Sequence, residues 1–113
     1  MNVPDIAFEA DRITEDGLVV GRNGYADVPV GTVFRAIAKT RVEGEISSWK
    51  TTDLETIAVN LQLAEVWWFR RSIDSIPRGH SAGLRLVGNG MDLLKVALDG
   101  KKSGEFIVLR VEP

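Results

Sequence analysis

The sequence predicts an all-β domain, in which residues 91–98 are the one stretch that also fits a short helix. Three observations carry that prediction. Strand-like runs are short and separated by turn residues, the spacing of sandwiches and barrels. One run alternates strictly, Ile57, Val59, Leu61 and Leu63 being interleaved with Ala58, Asn60 and Gln62. Glycines recur at the ends of these runs, where tight turns leave no room for a side chain.

In chain order, Ile6, Phe8 and Ala10 alternate with polar positions and define a first strand. Leu18 to Arg22 is a second, bounded by Asp16-Gly17 and Asn23-Gly24, dipeptides that favour the positive-φ turns of hairpins. A third runs from Thr32 through Ala38 towards Arg41, launched from Val30-Gly31. The polar stretch Arg41 to Glu55 carries Gly44 and is expected to be a long hairpin connection, with Trp49 lying back on the body. The alternating strand follows. Continued unbroken, its phase would aim Glu65 into the core, where an unpaired carboxylate costs several kcal/mol or must neutralise. The phase therefore slips near Ala64 and Glu65 through a bulge, after which Val66 and Trp68 share one face and Trp67 and Phe69 the other. Ala82 to Val87 is a further strand. Met91 to Gly100 fits a strand or one to two helical turns, and Leu93, Leu94 and Leu98 suit a short helix over a barrel end. Glu105 to Val111 is the last strand.

The 113 residues make one domain, which on surface scaling buries roughly 65% of the area its unfolded chain exposes. No cysteine is present, so disulfides and thiolate chemistry are excluded. The N-terminus, MNVPDIAFEADR, has acidic residues where a secretory signal needs a basic start and an apolar core, and no apolar run approaches the ~20 residues of a membrane span. A cytoplasmic protein is expected, without membrane contact. Net charge is −2, but unevenly spread: six basic and ten acidic residues up to Thr56, eight basic and six acidic after it. Between Arg70 and Arg85 stand Arg70, Arg71, Arg78, Arg85 and His80 against Asp74 alone. An acidic chain with such a stretch is not an indiscriminate nucleic-acid binder.

The run GLVVGRNGYADVPVGTVF, Gly17 to Phe34, resembles the second domain of translational GTPases of the elongation factor Tu type. There a valine pair leads to Gly-Arg, then to Val-Gly and an alternating strand; Val19, Gly21, Arg22, Val30 and Gly31 hold those places. VWWFRRSIDSIPRGHSAGLRLVG, Val66 to Gly88, is similar to a later segment of the same domain through Val66, Phe69, Arg70, Asp74, Gly79, Gly83, Leu84, Leu86 and Gly88. The two blocks cover about half the chain in family order. Ala26 stands where the family has glycine, and Asn89 to Gly104 departs from the pattern. What the resemblance implies is a closed antiparallel barrel serving as an accessory surface for tRNA ends, ribosomal RNA or neighbouring domains. The phosphate loop and base-recognition motif of the GTPase half are absent, so GTP is not an expected ligand.

Catalysis has little to build on. The single histidine, His80, lies in a Pro-Arg-Gly-His-Ser turn, and the acidic pairs Glu15-Asp16 and Glu43/Glu45 fall in expected turns, where solvated acids do no general acid–base work. No His/Asp/Glu spacing suits a metal, and no cofactor is expected. The expectation is a non-catalytic interaction module. Trp67 and Phe69 form its partner-binding face, for a protein or a second copy, unless Met91 to Leu98 or the Trp49 loop covers them. The alternative is RNA or ribosome binding through a rim of Arg70, Arg71, Arg78 and Arg85.

Overall fold

Phe8 and Ala10 are buried where Glu9 and Asp11 are exposed, and this period of two makes the first strand, β1 (Ala7–Ile13). In the computed structural model, which describes residues 7–23, 27–43, 50–68, 70–76 and 80–111, the chain continues through β2 (Val19–Asn23), β3 (Val28–Pro29), β4 (Val33–Glu43), β5 (Lys50–Trp68), β6 (Arg71–Ile73), β7 (Ser75–Ile76) and β8 (Ser81–Asn89). The helix α1 (Met91–Gly100) and the strand β9 (Glu105–Arg110) complete it. Antiparallel ladders run β4-β9-β1-β2-β8-β5 and return to β4, closing a six-stranded barrel. Strand β6 adds to the far end of β5, and β3 pairs with β7 apart from the ring.

Closure leaves one shared interior, filled by Phe8, Phe34, Ile37, Leu61, Leu63, Leu84, Ile107 and Leu109. Two glycines let the ring close tightly. A side chain at Gly21 would place its Cβ 2.0 Å from the Glu9 carbonyl oxygen and 2.6 Å from the Phe8 ring. At Gly88 the backbone has φ +130°, and a Cβ would stand 2.1 Å from the Asn60 carbonyl oxygen.

The expected bulge is present. Between Leu63 and Glu65 β5 advances two residues while β8 advances one, from Leu86 to Arg85, so Ala64 is the extra residue. Leu63 and Val66 are consequently both buried. Helix α1 settles the open choice at Met91 to Gly100. Its Leu94 and Ala97 join the same core as the inward strand residues, so it lies across the barrel mouth between the end of β8 and the start of β9.

Arg41 to Glu55 departs from the expected long connection. Strand β4 continues to Glu43 and β5 starts at Lys50, so most of that stretch is paired strand; Trp49 lies outside the described residues. The reason is tertiary. Thr52 to Thr56 are exposed on both faces and show no apolar alternation, while β4 beside them is fixed by β9. Arg110, opposite Ala36 in the β4–β9 ladder, makes a bidentate pair at 2.7 and 3.0 Å with Asp53, opposite Thr40 in the β4–β5 ladder. This strap crosses the outer face of β4 above its small, buried Ala36 and Ala38. On the inner face Arg41 meets the directly opposed Glu105 at 3.1 Å.

Candidate functional site

The bulge at Ala64 decides where the aromatic run points. With Val66 in the core, Trp67 must face outward, and it is 36% exposed. Its cross-strand partner on β8 is Gly83, which leaves room beside Leu18: a Cβ there would lie 3.6 Å from Leu18 Cδ1 and 3.9 Å from Trp67 Cβ. The indole Nε1 donates to Glu65 Oε2 at 3.2 Å, which fixes the ring along its strand. Trp68, half-buried on the other face, meets His80 edge-on with ring centroids 5.7 Å apart. An exposed aromatic on a rigid strand offers contact area at little entropic cost. The helix expected as a cover lies over the barrel mouth instead.

The basic residues divide. Trp68 pairs with Arg71 in the β5–β6 ladder, and Arg70 adopts φ +64°; both arginines are exposed. Arg85 points elsewhere. Its Nη1 donates to the Asp16 carbonyl at 2.7 Å and its Nη2 stands 4.0 Å from the Asp16 carboxylate, so it clamps the β1–β2 turn. The Thr14 hydroxyl, which donates to Asp16 Oδ1, and secondarily the Arg85 charge hold that carboxyl below its ordinary value. The structure thus sets Arg71 opposite Trp68, on the face away from Trp67, with Arg70 next to it in the turn, and gives Arg85 a structural task. Phe69 and Arg78 lie outside the described residues.

A second surface escaped the sequence reading. Where β8 leaves β5, Ala58, Val59 and Asn60 face Asn89, Gly90 and Leu93 across an open, mainly apolar groove of about 240 Å³. Leu93 and Val96, three residues apart on α1, are both exposed, Val96 at 69%. The only sequence signal was a third apolar position in Met91 to Gly100 beyond what one helix face needs.

Among the described residues no three His, Asp or Glu side chains cluster as metal ligands, and no helix is long and apolar enough to cross a membrane. No family model, curated protein or solved structure matches this chain.

Proposed function

We propose that the chain is a non-catalytic binding module that docks a protein partner, or a second copy of itself, through the outer barrel face around Trp67. One observation carries this reading: a tryptophan held along its strand by Glu65 stays 36% exposed beside Leu18 and a glycine. An aromatic of this kind anchors interfaces because it needs little ordering on contact. The resemblance to the second domain of translational GTPases supports the same role, an accessory surface in the cytoplasm.

Sedimentation velocity tests the homomeric form. A coefficient that rises with concentration and stays flat in Trp67→Ala is expected; a wild type that is monomeric throughout removes that form. A photo-crosslinker at position 67 tests the heteromeric form, and capture of nothing in a native extract removes it.

A second reading, RNA or ribosome binding, is supported by the exposed pair Arg70 and Arg71 at the turn beside the Trp67–Trp68 run. Arg70→Gly deletes a charge and relieves a positive φ at one stroke, so it should leave the fold intact. RNA affinity should fall steeply with salt, and Arg70→Gly should lower the log–log slope by roughly 0.7 to 0.9. A salt-independent titration removes this reading.

A further inference from the structure

Strand β5 has 19 residues and too few neighbours. On one side it pairs with β4 from Lys50 to Gln62 and then with β6; on the other, β8 reaches it only from Asn60 onwards. From Lys50 to Val59 that second edge has no strand on it among the described residues. Bulges interrupt the β4–β5 ladder at Leu54 and next to Val59, leaving Glu55 to Ala58 as a regular bare edge roughly 13 Å long. Such an edge presents backbone donors and acceptors in the pattern another strand requires. The 240 Å³ groove lies at its end, where β8 departs, with Val59 and Leu93 apolar and the paired Asn60 and Asn89 offering carboxamides. It is below the usual range of small-molecule pockets, roughly 300 Å³ upward, but suits a side chain of an extended segment.

We propose that this edge takes up an extended peptide segment of another protein, added antiparallel to β5 along the line of β8. An apolar side chain enters the groove against Val59 and Leu93, and a cationic one lies opposite Glu55. Main-chain hydrogen bonds provide affinity and alternate side chains provide selection.

The charges disfavour a second copy as the occupant. A two-fold pairing centred on Leu54 sets Asp53 against Glu55 twice, and one centred on Glu55 sets that carboxylate against itself; like charges directly opposed across strands destabilise the pair. Registers centred on Thr56 or Ile57 press Glu55 onto Ile57 or Val59 instead, a carboxylate against an apolar side chain. Asp92, next to Leu93 on the groove's other wall, adds a negative charge. Lys39, opposite Glu55 on β4, and Lys95 on α1 offset part of this field, and Asp53 is held by Arg110, so the preference is for a segment with one cation, opposite Glu55. The surface is separate from the face around Trp67, and the proposal does not depend on it.

The probe is a capped hexapeptide, Val-Thr-Val-Thr-Lys-Thr, which in antiparallel alignment places its valines opposite Val59 and Ile57 and its lysine opposite Glu55. Its counterpart replaces the lysine by glutamate. Fluorescence anisotropy should show the cationic peptide binding about tenfold more tightly, and Glu55→Lys should reverse that order. Leu93→Glu, at an exposed position, should weaken the cationic peptide about tenfold with the circular dichroism spectrum unchanged. Trp67→Ala should leave both affinities as they are. Equal binding of the two peptides, binding of neither at millimolar concentration, or indifference to Leu93→Glu would overturn the proposal. So would loss of peptide binding in Trp67→Ala, or a wild-type dimer that Glu55→Lys dissolves.

Discussion

Replacing Gly21 by alanine adds one methyl group at the tightest point of the barrel wall. The new Cβ would stand 2.0 Å from the Glu9 carbonyl oxygen and 2.6 Å from the Phe8 ring, where carbon–oxygen contacts below 3.0 Å essentially do not occur. β1 and β2 must separate locally by about 1 Å, against an interstrand spacing of roughly 4.8 Å. That stretch takes the neighbouring ladder hydrogen bonds beyond bonding distance. Two such bonds at roughly 1 kcal/mol each, with an overpacking cost of about 1–3 kcal/mol, give a loss of about 4 kcal/mol. A closed ring cannot relax by splaying an edge, so the strain also reaches Phe8. At about 4 °C per kcal/mol for a chain of this size, the thermal midpoint should fall by about 15 °C. Differential scanning calorimetry on Gly21→Ala measures this directly. A fall of less than about 3 °C would show that the strands approach less closely than described and would refute the reasoning.

Other expectations follow from the same packing and charges. Leu94→Ala, which empties the part of the core under α1, should cost about 2–5 kcal/mol in chemical denaturation, and more than the exposed Val96→Ala. Gly100→Ala should stabilise by about 0.4–1 kcal/mol, because the last helical residue has nothing within 4 Å of a new Cβ and its φ is not positive; a loss would contradict the helix end. Glu105, accepting a hydrogen bond from the Lys102 amide and secondarily from Arg41, has its carboxyl held below the ordinary 4.5. Its contribution is therefore complete above that ordinary value and is lost as pH falls through the lowered one. Glu105→Gln should reduce stability near neutrality and flatten the acid limb of a stability–pH curve. An unchanged acid limb would remove Glu105 from the account.

Most of the barrel was legible because its signals are local. The alternation from Ile57 to Leu63 and the cost of burying Glu65 located a bulge to within one residue, and that bulge fixed the outward direction of Trp67. The dipeptide Asp16-Gly17 placed the first hairpin. What escaped depends on partners distant in sequence. Thr52 to Thr56 form a strand only because β4 beside them is fixed by β9, and no alternation inside that segment announces it. Arg85 read as one of four rim cations because nothing near it in sequence shows that the β1–β2 turn, 69 residues away, lies within its reach. The groove beside Leu93 was hidden for a similar reason: it exists where one strand stops pairing, and the end of a ladder leaves no mark on composition.

Strand β9 is the only bridge between β1 and β4 among the described residues, joining Ala7 to Arg110 on one side and Ala36 to the same arginine on the other. Without β9 the same strands would form an open sheet with two bare borders, at β1 and β4, both lined with apolar side chains. Closure then needs an encounter across about a hundred residues, and contacts that remote form slowly. A ribosome stalled or a message cut before β9 would release a species prone to recruit other chains along its borders, so a truncation at this end should cause aggregation rather than a modest loss of stability.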